Sequence, residues 1–224
     1  DTEERTGPER AVASGWLSEV EMLQATIVVF VLTVPLGLYL IAVAGWPVLI
    51  IGLASLGAGI SYTGGPYPLA YHGLGDLFVF LFFGLVATAG TYYVQAVTVN
   101  WFIILTALAP GALITNILVV NNYRDIPTDR ATGKRTLAVI LGPAGTRMEY
   151  ILLLLLSYSV PLILFLTGEF TWWVLLPWLT LPFALSLSMQ LMNENQGKVL
   201  NKVLARTAAL CLIFGILLSL GVML

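Results

Sequence analysis

The sequence predicts an all-α bundle of seven transmembrane helices, and three features predict it. Of its 224 residues, 58% are hydrophobic and only 10% are charged, against about a quarter charged in a soluble domain. No Asp, Glu, Lys or Arg occurs in the stretches 22–75, 77–123, 150–168, 170–193 and 207–224. The apolar runs do not alternate: Ile151 to Leu156 is wholly aliphatic, whereas membrane β-strands alternate over roughly ten residues. Helices are the other way to satisfy every backbone amide in lipid.

A spanning helix takes roughly 20 mostly apolar residues. The first uncharged stretch therefore holds two spans, 22–44 and 47–62, split at Gly45-Trp46-Pro47. The second holds 77–96 and 101–120, split near Thr98-Val99-Asn100. The others hold 149–168, 171–192 and 205–224. Asp76, at the start of a span, reads as an N-cap. All ten basic residues fall in three segments: Arg5 and Arg10; Arg124, Arg130, Lys134, Arg135 and Arg147; Lys198, Lys202 and Arg206. Seven spans put these segments and the 63–76 loop on one side, which the positive-inside rule makes cytoplasmic. The other side carries one charge, Glu169. The localisation expected is the cell membrane.

A net charge of −2 excludes a nucleic-acid binder. One cysteine and one histidine exclude a disulfide framework, a cysteine-based metal cluster and any site needing two imidazoles. The chain opens on a polar, acidic segment with neither an initiator Met nor a secretory signal. It is therefore expected to be one membrane domain, 1–224, truncated at its N-terminus.

Chemistry concentrates in three polar segments. In Asn121 to Thr136, the residues Asn122, Asp125 and Asp129 follow the i, i+3, i+7 spacing of one helical face. Two carboxylates on one face repel unless a cation lies between them. Mg²⁺ suits such a pair, because it takes one or two carboxylates and completes its shell with water and phosphate. Arg124, Arg130, Lys134 and Arg135 are placed to hold the remaining phosphate charge. Pro127 disfavours a continuous helix, so the shared face requires it in a first turn or at a kink. The plain alternative is a solvated loop whose cations only fix topology. The second segment, Asp1 to Gly15, reads by itself as a frayed polar terminus. In the third, Ser61 to Asp76, Tyr62, Tyr67 and Tyr71 could line a substrate entrance or simply form an interfacial aromatic belt with Gly/Pro turns. His72 is either a general base or a hydrogen-bonding loop residue.

The run Asn121-Asn122-Tyr123-Arg124-Asp125-Ile126-Pro127-Thr128-Asp129 through Lys134-Arg135-Thr136-Leu137-Ala138 resembles the second aspartate-rich motif of the UbiA superfamily of intramembrane prenyltransferases. Tyr62-Thr63-Gly64-Gly65-Pro66-Tyr67-Pro68-Leu69, Gly73-Leu74-Gly75-Asp76 and Phe82-Phe83-Gly84 resemble its MenA branch, the 1,4-dihydroxy-2-naphthoate polyprenyltransferases. Asp1-Thr2 with Arg5, Gly7-Pro8 and Arg10 resembles the tail of the first aspartate-rich motif. The likeness covers the chain and implies a fold of nine helices, two of them upstream of Asp1 with the first motif's leading acids.

The resemblance implies Mg²⁺-dependent transfer of a polyprenyl group from polyprenyl diphosphate to dihydroxynaphthoate, with loss of its carboxylate, giving demethylmenaquinone. Asp125, Asp129 and Asp1 would hold the metal. Arg10, Lys134 and Arg135, with Arg124 and Arg130 as further candidates, would contact the diphosphate. Tyr62, Tyr67, His72 and Asn122 are the candidates for the acceptor. A sister enzyme acting on 4-hydroxybenzoate or homogentisate is the alternative. A transporter is disfavoured, since it would place ionisable residues within its spans. A non-enzymatic assembly protein would need no loop acids.

Overall fold

The computed structural model describes residues 11–194 and 197–224. Among them, seven helices are long and apolar enough to cross a membrane: α1 (Glu19–Ala44), α2 (Trp46–Thr63), α3 (Gly75–Ala96), α4 (Trp101–Ala131), α5 (Leu137–Leu166), α6 (Trp172–Asn193) and α7 (Gly197–Met223). The described residues contain no strand. The protein is therefore an integral membrane helical bundle, as its composition predicts.

Local chemistry sets the boundaries. Ser18 caps α1 in a reciprocal box: its Oγ accepts from Glu21 N–H at 3.2 Å, and Glu21 accepts from Ser18 N–H at 2.8 Å. Gly45, at φ 82°, makes the reversal into α2, where Pro47 sits in the first turn. Asn100 caps α4 by accepting from Ile103 N–H at 3.3 Å. Thr136 caps α5 by accepting from Val139 N–H at 3.3 Å.

Two helices run further than apolar length alone predicts. α4 continues beyond 120 to Ala131, and α5 starts at Leu137 rather than 149. Both project beyond the apolar layer, where helical residues need not be hydrophobic. α4 also passes through Pro127, which is neither in a first turn nor at a break. Hydroxyls support this end of the helix: Thr128 donates to the Asp125 carbonyl at 3.0 Å, and Thr132 to the Thr128 carbonyl at 3.1 Å. α5 breaks at Gly142, φ 68° and ψ 179°, just before Pro143. Thr146 spans the break by donating to the Gly142 carbonyl at 2.9 Å. α6 begins as a 3₁₀-helix, Trp172–Thr180, and becomes α-helical from Leu181. α3 holds a π-helical stretch, Phe80–Val86.

The core lies among α4, α5, α6 and α7, where Leu113, Val119, Tyr150, Leu164, Leu187 and Phe214 are fully buried. Polar clips cross it. Asn116 donates to the Tyr150 carbonyl at 3.1 Å, the hydroxyls of Tyr150 and Thr207 lie 3.0 Å apart, and those of Tyr158 and Thr180 lie 2.6 Å apart. Such bonds contribute about 0.6 kcal/mol each in a bilayer. α3 reaches this core through Gly84 against Gly111 of α4, backbone to backbone with no room for a Cβ. By contrast α1 buries only Ala44, and α2 buries nothing. Between α1, α2 and α3 lies an apolar cavity of about 1450 Å³. Leu38, Leu56, Phe82 and Val86 line it, with Tyr62 towards one end and Gln95 towards the other.

Candidate active site

Charged side chains gather at one end of the bundle, where the loops 64–74 and 132–136 join the helices and α6 ends beside Glu194. Long-range bonds tie this end together. Arg135 N–H donates to the Tyr71 carbonyl at 3.1 Å, fastening one loop to the next. Tyr123 Oη and Arg147 Nη2 both donate to the Glu194 carbonyl at 3.3 Å, and Arg147 Nε donates to the Leu191 carbonyl at 3.1 Å. Arg147 also lies 5.4 Å from the centre of the Tyr123 ring. Sequence reasoning gave Arg147 only a role in topology; here it joins α5 to the end of α6.

Asp125 and Asp129 lie one turn apart near the end of α4, and their carboxylates repel through space. Each already faces a cation, but the two pairs differ. Arg124 grips Asp125 with Nε and Nη2, both at 2.7 Å, and also donates to Asn121 Oδ1 at 2.8 Å and Asn201 Oδ1 at 2.7 Å. Its side chain is only 4% exposed. Arg124 thus connects α4 to α7, and this guanidinium is largely committed within the protein. Lys134 meets both oxygens of Asp129 more loosely, at 3.2 and 3.3 Å, and remains 24% exposed. Its ammonium also lies 5.6 Å from the centre of the Tyr71 ring. Arg130 and Arg135 are exposed at the same end.

The acceptor candidates separate. Tyr62 lines the apolar cavity and packs against the Gly75 backbone, where a Cβ would lie 3.2 Å from its hydroxyl. Asn122 is buried beside Asp76. Tyr67 and His72 are exposed and stack on each other at 3.6 Å, with His72 Nδ1 2.8 Å from the Pro68 carbonyl. The structure therefore brings Tyr62 and Asn122 together around Asp76 and leaves Tyr67 and His72 on the outside of the loop. Asp1 and Arg10 lie outside the described residues.

Two acids acquire a place that spacing did not assign. Asp76 is not an N-cap: Leu74 takes that position, and Asp76 is buried in the first turn of α3. Its Oδ2 has no hydrogen-bond partner among the described residues. Glu149 of α5 lies near enough for the two carboxylates to repel. The signal was available, since Asp76 is the lone charge between the uncharged stretches 22–75 and 77–123. An ionisable residue so isolated at the membrane is a functional candidate by default.

Among the described residues, no three His, Cys, Asp or Glu side chains converge on one point. Asp125 and Asp129 offer two hard oxygen donors with positions left open. That set fits a Mg²⁺ ion completed by water and phosphate.

Comparison with known proteins places this architecture. Residues 1–213 match the UbiA prenyltransferase family model. A 1,4-dihydroxy-2-naphthoate octaprenyltransferase of Escherichia coli is 38% identical, covering 100% of this chain and 75% of that protein. One of Mycobacterium tuberculosis is 36% identical over 96% of this chain and 72% of its own length. The human UbiA prenyltransferase domain-containing protein 1 is 36% identical over 78% of this chain and 50% of its own. The chain belongs to the UbiA prenyltransferase family.

Proposed function

We propose that the protein transfers a polyprenyl group from polyprenyl diphosphate to 1,4-dihydroxy-2-naphthoate, with loss of the acceptor carboxylate, giving demethylmenaquinol, the reduced form of demethylmenaquinone. The observation that carries this reading is the Asp125–Asp129 pair with Lys134 at the same end of the bundle as Tyr62, which lines the apolar cavity. The 1,4-dihydroxy-2-naphthoate octaprenyltransferases among its relatives support the choice of acceptor.

The prenyl tail lies in the cavity between α1, α2 and α3, which extends from Tyr62 to Gln95 and presents almost only apolar side chains. From Phe78 to Gln95 that is about 25 Å of helix at 1.5 Å per residue. The diphosphate lies at the charged end, which is the cytoplasmic face of the cell membrane by the distribution of Lys and Arg. Lys134, Arg130 and Arg135 contact its oxygens, while Arg124 holds Asp125 and α7 in place. Asp125 and Asp129, with Asp1, would hold Mg²⁺, and its charge would offset the charge developing on the leaving diphosphate.

The allylic C–O bond breaks, and its electron pair departs with the diphosphate. The rings of Phe78 and Phe82, 5.9 Å apart, offer π-faces to the allylic cation. The apolar walls exclude water that would quench it. The ring carbon bearing the carboxylate forms the new C–C bond. Carbon dioxide then leaves, and the electron pair it releases restores aromaticity. No base therefore has to remove a proton from that carbon, and the protein's task at the acceptor is orientation.

The test is a prenyl-transfer assay of the full-length protein in membranes with octaprenyl diphosphate. Dihydroxynaphthoate, 4-hydroxybenzoate and homogentisate are offered separately, with and without Mg²⁺. Prenylation of dihydroxynaphthoate only with Mg²⁺ present is expected; preference for either other acceptor would reassign the substrate.

A further inference from the structure

The mechanism leaves one buried group unused. Asp76 is 4% exposed, and its Oδ2 is without a hydrogen-bond partner among the described residues. A buried acceptor left unpaired is costly, and more so when charged. No element of the fold accounts for it: Leu74 is the N-cap of the helix, and the backbone of α3 makes no use of Oδ2. What surrounds it is specific. Asn122 of α4 lies buried beside Asp76, and Tyr62 and Glu149 lie within its electrostatic reach. Residues of three other helices thus surround a carboxylate with one unpaired oxygen, and Tyr62 also lines the apolar cavity.

We propose that Asp76 receives the aromatic acceptor: its free Oδ2 accepts a hydrogen bond from a ring hydroxyl of the dihydroxyarene, while Tyr62 and Asn122 frame the ring. The assignment rests on the function proposed above and supplies the orienting group that it requires. Charge decides which part of the substrate enters. Asn122, Tyr62 and Glu149 around Asp76 carry no positive charge, so this place suits a neutral donor better than the diphosphate or the acceptor's own carboxylate. A hydroxyl is neutral and can donate. A hydrogen bond from that hydroxyl to a carboxylate pushes electron density into the ring, which makes the attacking carbon more nucleophilic. The acceptor carboxylate then points away from Asp76, towards the cationic side where Lys134 lies.

The test compares ligands that differ by one hydroxyl on the full-length protein in lipid nanodiscs. Equilibrium binding of 1,4-dihydroxy-2-naphthoate, 1-hydroxy-2-naphthoate and 4-hydroxy-2-naphthoate is measured for the wild type and Asp76→Asn. The wild type should bind the dihydroxy compound at least about 10-fold tighter than one of the analogues, the loss expected for an unpaired buried group. Asp76→Asn should weaken the dihydroxy compound by about 10- to 100-fold and erase that preference. The KM for octaprenyl diphosphate should stay unchanged. Equal weakening of all three ligands, or a raised diphosphate KM in the variant, would overturn the proposal. Each preparation serves as its own control, because a ratio between ligands cancels any unfolded fraction. Should Asp76→Asn fail to fold, the wild-type series decides alone: equal affinity for the three ligands refutes the assignment. If the wild type prenylates no acceptor, the functional reading has failed. If it prenylates dihydroxynaphthoate while Asp76→Asn keeps the hydroxyl preference, only this inference has failed.

Discussion

Two acids one turn apart on α4 each meet a cation, and the two pairs should respond to loss of that cation in opposite ways. Arg124→Ala removes four hydrogen bonds, of 2.7 to 2.8 Å, from a side chain only 4% exposed. It takes the guanidinium away from Asp125 and Asn121 and removes its bond to Asn201 of α7. Breaking a buried pair in this way costs about 3–5 kcal/mol. At about 2–4 °C per kcal/mol for a chain of this size, the midpoint of thermal unfolding should fall by roughly 6–20 °C. Lys134→Ala removes two longer contacts, 3.2 and 3.3 Å, from a side chain 24% exposed. Water can replace much of what is lost, so the stability cost should be about 1 kcal/mol or less. Its cost should appear in function instead. A charge-assisted contact to phosphate contributes about 1.5–3 kcal/mol, which raises the diphosphate KM by about 10- to 150-fold. Thermal unfolding in detergent micelles and steady-state kinetics with each substrate varied separate the two effects. The reasoning is refuted if Lys134→Ala destabilises more than Arg124→Ala. It is also refuted if Lys134→Ala raises the acceptor KM while leaving the diphosphate KM alone.

Helix packing and topology give two further expectations. A Cβ at Gly111 would lie 3.0 Å from Gly84 Cα and 3.4 Å from the Phe80 ring. Gly111→Leu should therefore force α3 away from α4 at a cost of about 1–3 kcal/mol, whereas Gly37→Leu, with nothing within 4 Å, should be near neutral in the same melt. In a Cys211→Ser background, Gly133→Cys should react with an impermeant thiol reagent from the cytoplasmic side and Glu169→Cys from the outside. Labelling in the reverse sense would invert the topology.

The fold was legible because the bilayer imposes one length and one polarity on each element, and the charge gaps record both. Gly45 and Asn100 mark the breaks where composition placed them. The ends of α4 and α5 were less legible, because helices that emerge from lipid no longer need apolar residues. Pro127 misled for a related reason: its missing N–H forfeits one bond in a helix otherwise well supported by Thr128 and Thr132. At the candidate site, residue type and spacing singled out Asp125 and Asp129 but could not divide the cations. Only the partners distinguish Arg124, committed to Asn201 across 77 residues of chain, from Lys134 at the edge. Asp76 was visible as an isolated acid and was read as a cap. Its burial among Tyr62, Asn122 and Glu149 depends on three helices meeting, which no local pattern encodes.

The central claim is that Asp125 and Asp129 hold the ion that makes diphosphate a leaving group. The most direct measurement is prenyl transfer by full-length Asp125→Asn and Asp129→Asn across a Mg²⁺ titration, with octaprenyl diphosphate and dihydroxynaphthoate saturating. The account predicts correctly folded variants whose rate falls at least about 100-fold, in line with losing a group that stabilises transition-state charge. Near-normal turnover in either variant, or a rate that ignores Mg²⁺ in the wild type, would contradict it.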